Sequence, residues 1–121
     1  MLTARRLMLA HFWVAFATFG VAAVLGAWQM WARSPLRPPF LSAENYFASV
    51  TLHGGSMAYV LTTFFIMGFG YFVAETALKR PLPGRTWAWV SFWMGIVGTA
   101  MAVLSILSGR ATVLFTFYPP L

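Results

Sequence analysis

Residues 46–78 read YFASVTLHGGSMAYVLTTFFIMGFGYFVAETAL, and this stretch decides the fold. It is apolar on every side, with one histidine, His53, and one carboxylate, Glu75, along its length. A membrane helix needs about 20 apolar residues at 1.5 Å rise. The run therefore spans a bilayer with length to spare, and is expected to tilt or to extend past the lipid at one end. Two further apolar runs flank it, from Leu7 to Trp31 and from Thr86 to Leu107, each long enough to span. The fold class implied is all-α: a polytopic membrane protein with three transmembrane helices. They are expected at about 7–31, 46–78 and 86–107 in a single membrane region 1–121, with an outer-side tail at 108–121.

Composition agrees. Of 121 residues 60% are hydrophobic and only 8% charged, against about 25% charged in a soluble domain. A water-soluble domain and a disordered tail are both excluded. With no cysteine, disulfide scaffolds and thiolate metal sites are excluded as well. The net charge of +6 superficially suggests nucleic acid. However, the basic residues sit at the ends of apolar runs, which is membrane topology and not a phosphate-binding stripe.

The connections have loop chemistry. Between Ala32 and Asn45 lie Ser34, Pro35, Arg37, Pro38 and Pro39, which cannot continue a helix. Ser42 is the expected N-cap of the second helix, with Glu44 in its first turn near the positive end of the dipole. Lys79 to Arg85 contains Pro81, Pro83 and Gly84, a tight turn between antiparallel spans. If the N-terminus is cytoplasmic, that side carries Arg5, Arg6, Lys79, Arg80 and Arg85, and the other carries Arg33, Arg37 and Arg110. Five against three favours the N-terminus inside. Trp28 and Trp31 then belong to the outer interface, and Trp87 and Trp89 to the inner one. The first run is too long for a signal-peptide core and lacks a small-x-small site leading into polar sequence, so it reads as a span.

Ionisable side chains in lipid are costly and mark candidate sites. His53 lies about two turns inside the outer end of the second span, with Gly54 and Gly55 next to it. An imidazole at that depth needs a hydrogen bond, a carboxylate or a metal. The two glycines would let a flat macrocycle or another helix come close. Helical spacing places Ser49, Ser56, Met57, Val60 and Phe64 on the same face. Met57 and Phe64 are candidates to pack beside a haem, and Ser49 or Ser56 to orient the imidazole. Spacing leaves two readings open: a haem ligand, or a packing histidine bonded to a neighbouring helix.

His11, about one turn inside the inner end of the first span, reads as an interfacial residue. It enters from the opposite face to His53, so their depths differ by on the order of 15 Å and they cannot clamp one iron. Glu75 reads as the partner of Lys79 four residues on, worth a few tenths of a kcal/mol at the headgroups. Gly98 with Ala102, Gly95 with Thr99, and Ala22 with Gly26 are small-xxx-small pairs that mark helix contacts. Phosphate loops, zinc-site spacings and nucleophile elbows are absent from the sequence.

Thr51-Leu52-His53-Gly54 near the outer end of the second helix is one of two stretches with a family likeness. The other is the tail Ala111-Thr112-Val113-Leu114-Phe115-Thr116-Phe117-Tyr118-Pro119-Pro120-Leu121. Together they resemble subunit I of the haem-copper oxygen reductases, and the form of the tail resembles its B-type branch. The resemblance spans nearly the whole chain and implies the N-terminal part of a larger helical bundle. It implies that His53 is one axial iron ligand of the low-spin haem, a b-type haem in that branch, with Gly54 and Met57 beside the cofactor. It implies that Tyr118, Pro119 and Pro120 form an outer-side loop near the haem propionates, Tyr118 in a positioning role. The absence of an Arg inside the first span agrees with a b-type haem.

The family's other low-spin ligand is missing from the chain, as are its copper histidines and the ligand of its high-spin haem. High-spin haem and copper are thus expected only in the complete subunit, and the chain alone is not expected to be active. The resemblance implies as partners the remaining helices of subunit I, subunit II, cytochrome c or a similar donor, and the lipid bilayer, with no nucleic acid. The implied location is a prokaryotic plasma membrane. The parent would reduce oxygen and translocate protons. Two alternatives stand beside this. One is a nitric oxide reductase relative, a group that tends to lack the glycine after this histidine. The other is a small non-enzymatic membrane protein of assembly or interaction.

Overall fold

The computed structural model describes residues 2–37, 39 and 41–112. The tail stretch from Val113 on, Tyr118 included, lies outside the described residues. Helix α1 covers Leu2–Ala32, α2 covers Ala43–Gly55, α3 covers Thr62–Leu78 and α4 covers Arg85–Leu107. A π-helical segment, Ser56–Leu61, joins α2 to α3, so that Ala43–Leu78 is one long span. Among the described residues, three helices are long and apolar enough to cross a membrane, and every described element is helical. Helix α1 starts before the apolar run because Arg5 and Arg6 lie on exposed positions of its first turns.

The caps reflect local chemistry. Ser42 Oγ accepts from the amide of Asn45 at 3.2 Å and starts α2, with Glu44 in the first turn. Lys79 ends α3 in the left-handed region at φ 50°, and Gly84 at φ 76° turns the chain into α4. A left-handed residue is the common way to close a helix, though usually a glycine fills it.

Helix α1 packs along α2, the π segment and α3 in turn, and α4 touches α1 and α2. The core lies between α1, α3 and α4. Leu7, Ala15, Phe64 and Phe92 form it, with Val60, Tyr71 and Trp89 against them. Trp89 therefore turns inward on Phe92, at 5.6 Å between ring centroids, while Trp87 faces outward.

His11 occupies the middle of this cluster, packed between helices. It is 3% exposed and its ring centroid lies 4.9 Å from Phe92, 5.6 Å from Tyr71 and 5.7 Å from Phe64. Its Nδ1–H donates to the Leu7 carbonyl one turn back at 2.8 Å, which satisfies the ring locally. Aromatic faces supply the rest of its surroundings.

The approach of α1 to α3 depends on Gly68. A Cβ there would stand 2.7 Å from His11 Cβ and 3.2 Å from the Met8 carbonyl oxygen, closer than packed atoms tolerate. Between apolar helices in lipid, small residues set this distance. Gly95 plays a milder version of the part beneath the Phe64 ring, whereas nothing lies within 4 Å of a Cβ at Gly98. Of the two small-residue pairs on the third span, the one containing Gly95 is in use among the described residues.

Gly68→Ala is expected to destabilise the bundle by about 1–3 kcal/mol through overpacking, read by reversible unfolding in denaturing detergent. Gly98→Ala is expected to be neutral or stabilising by up to about 1 kcal/mol, since helix propensity favours alanine where space is open.

Candidate functional site

The site is built on the crossing of α1 and α2. Three α1 residues at helical spacing, Ala22, Gly26 and Gln29, share one face. Gln29, 6% exposed, donates from Nε2 to the Ser49 carbonyl at 3.1 Å. One turn along α2, His53 donates from Nδ1–H to the Ala22 carbonyl at 2.7 Å. A helix carbonyl has a second lone pair for such a bond. The two helices are thus bridged twice, each time from a side chain to the partner's backbone.

The bond at Ala22 determines the tautomer of His53. A carbonyl only accepts, so Nδ1 carries a proton, and in the neutral tautomer this bond selects, Nε2 is the nitrogen with the lone pair. Gly26 makes the approach possible. A Cβ there would stand 3.2 Å from His53 Cε1 and 3.5 Å from Nδ1. The imidazole is half-buried, and beyond it a Cβ at Gly55 would meet nothing within 4 Å. The result is an imidazole anchored at one nitrogen and passing close over Gly26.

The orientation that sequence spacing assigned to Ser49 or Ser56 belongs to Ala22. Ser49 Oγ donates to the Tyr46 carbonyl at 2.6 Å and is occupied there. The α-helical face expected from Ser49 to Phe64 is also broken. The π segment starts at Ser56, and one extra residue rotates the later side chains by roughly 100°. Phe64 accordingly turns into the core at 5% exposure, T-shaped to Phe92 at 5.9 Å. Gly54, Gly55 and Ser56 are weak helix formers, which lowers the cost of the change at this turn. Gly54 comes directly after His53 on α2, and Met57 is half-buried in the π turn.

On the N-terminal side of His53, α2 is tied to the chain after α4. The Thr51 hydroxyl shares its one proton between the Thr112 carbonyl at 2.8 Å and the Phe47 carbonyl of its own helix at 2.9 Å, Thr51 and Thr112 both being 7% exposed. Gly109, at φ 75°, brings its backbone against the Glu44 carboxylate, where a Cβ would stand 2.7 Å from Oε1. The stretch that leads toward Tyr118 therefore starts at the level of Thr51, just before His53 on α2. His11 is far from this level. Ala22 is eleven positions further along α1, about 16 Å of helix. Among the described residues, no three His, Cys, Asp or Glu side chains converge as metal ligands.

Comparison with known proteins bears on this arrangement. Residues 6–121 match the family described as Cytochrome C and Quinol oxidase polypeptide I. The chain belongs to that family. It is also similar to cytochrome c oxidase subunit 1 of Thermus thermophilus, 39% identical over 84 residues, which is 69% of this chain and 14% of that protein. The chain thus spans about one seventh of the length of the curated relative it matches. No solved structure matches it. As a member of the oxidase polypeptide I family with three helices able to cross a bilayer, it is an integral membrane protein.

Nitrogen NMR of the imidazoles is expected to show a proton on Nδ1 of His53, hydrogen-bonded to the Ala22 carbonyl. Gly26→Ala pushes the ring off the Ala22 carbonyl by a few tenths of an ångström or more, and is expected to weaken that pattern.

Proposed function

We propose that this chain supplies His53 as one axial ligand of the low-spin haem in the catalytic subunit of a B-type respiratory terminal oxidase. The observation that carries the reading is the anchored imidazole. Haem iron takes a neutral imidazole nitrogen, and good ligands of this kind hold their other N–H on a carbonyl or carboxylate. Nδ1–H of His53 is held by the Ala22 carbonyl, so Nε2 is the nitrogen left for iron. Family membership and the Thr51-Leu52-His53-Gly54 stretch support the same assignment.

When bound, a haem of b type would supply one-electron redox chemistry, accepting electrons and passing them toward the oxygen-reducing centre. The chain's own residues do the rest. Ala22 and Gly26 fix the plane and tautomer of the ligand. Gly54 keeps the backbone thin beside it, and Met57 contributes apolar, polarisable bulk. Tyr118 positions the outer loop. The contact of Thr51 with Thr112 holds the last described residue after the third span against α2.

The high-spin haem and copper belong to the remaining helices of subunit I. Further partners are oxidase subunit II and a cytochrome c or similar donor. Oxygen reduction and proton translocation are properties of that assembly. The membrane is a prokaryotic plasma membrane with the N-terminus cytoplasmic, on the basic-residue bias.

The isolated chain is expected to show little Soret absorption. Assembled with its missing helices, the wild type is expected to show a low-spin haem spectrum and His53→Ala to abolish it. An unchanged spectrum in His53→Ala would overturn the ligand assignment. Gly26→Ala in the same assembly is expected to lower haem retention by about tenfold, the usual cost of disturbing the group behind a ligand.

A further inference from the structure

The end of the bundle that carries the N-terminus contains a cleft of about 750 Å³ that the redox reading does not use. It is lined by Arg5 from the first turns of α1, by Phe72, Glu75 and Thr76 from the last turns of α3, and by Lys79, Arg80 and Pro81 from the turn after it. Three cations therefore meet one carboxylate. That carboxylate is already turned toward α1: Glu75 is 7% exposed and its Oε2 accepts from the Ala4 amide at 3.1 Å. It neutralises the positive end of the α1 dipole, while Arg5, Lys79 and Arg80 are exposed at the mouth.

The cleft is amphipathic along its depth. Thr76 spends its hydroxyl on the Phe72 carbonyl at 2.8 Å. The wall that runs from the charges toward the middle of the span is therefore apolar, ending on the Phe72 ring. Lys79 adds a second observation. It occupies the left-handed closing position of α3 at φ 50°, where a glycine would close the helix without steric cost. The lysine accepts that backbone strain and brings its ammonium to the mouth.

We infer that this cleft binds an anionic phospholipid, with Arg5, Lys79 and Arg80 around the phosphate and an acyl chain along Phe72. The charge excess selects an anion, and the apolar wall selects one that carries a hydrocarbon chain. Each basic group near a membrane surface contributes about 1 kcal/mol toward an anionic lipid, which is about fivefold in relative affinity.

The test uses the full chain in mixed nanodiscs of phosphatidylglycerol and phosphatidylcholine, with lipid retained on release read by native mass spectrometry. Phosphatidylglycerol is expected to be retained in preference to phosphatidylcholine. Lys79→Gly, which relieves the left-handed strain and keeps the helix end, is expected to lower that preference about fivefold, and Arg80→Gln similarly. Arg85→Gln removes a charge just past the same turn but outside the cleft, and is expected to leave the preference unchanged. Equal retention of the two lipids would overturn the inference. An equal loss in Arg85→Gln would do the same, by reducing the effect to general surface charge. Displacement of the retained lipid by inorganic phosphate would also overturn it, by making the cleft a simple anion site.

Discussion

The bond from His53 Nδ1–H to the Ala22 carbonyl is the constraint on which the site depends. In a bilayer no water stands ready to replace a lost partner, so a buried polar group must be satisfied by protein. Among the described residues, no buried side-chain nitrogen or oxygen lacks a partner. His53 meets this requirement with one nitrogen only. That choice ties α2 to α1, selects the tautomer, and presents Nε2 on the far side of the ring. The small residues answer the same requirement. Gly26 admits the ring to the carbonyl, just as Gly68 admits α1 to α3 at the other end of the bundle.

The two histidines show how one residue type serves different ends of a fold. His11 turns its Nδ1–H back to its own helix, at Leu7, and gives its faces to Phe64, Tyr71 and Phe92. It is a packing residue that locks the core between α1, α3 and α4. His53 reaches to a different helix and stands half-buried. Glu75 works across helices too, at the Ala4 amide, and closes the start of α1. The polar side chains in this apolar chain are thus spent where helices must be held in register.

The spans, the Ser42 cap and the membrane character are legible in the sequence, because hydropathy, proline and capping chemistry are local. His53 stands out because an imidazole in an apolar run is conspicuous. Its partner does not. A backbone carbonyl such as that of Ala22 has no sequence signature beyond the small pair Ala22 and Gly26, which marks a helix contact without saying what is admitted. Gln29, three residues further along the same face, is the overlooked signal: a lone amide in an apolar run also requires a bond across helices. The π turn at Ser56–Leu61 is the largest departure. Periodicity assumes one pitch throughout, and a single inserted residue sends Phe64 from the expected haem side into the core. Depth alone makes His11 and Glu75 interfacial, whereas side-chain packing decides their burial.

The central claim is that Nε2 of His53 meets haem iron while Nδ1–H stays on α1. Pulsed EPR of the oxidised low-spin haem tests it most directly, with this chain carrying nitrogen-15 histidine and the remaining helices unlabelled. Labelling is expected to replace one strongly coupled iron-bound nitrogen, and His11→Gln to leave that coupling in place. A coupling spectrum indifferent to the label would contradict the assignment.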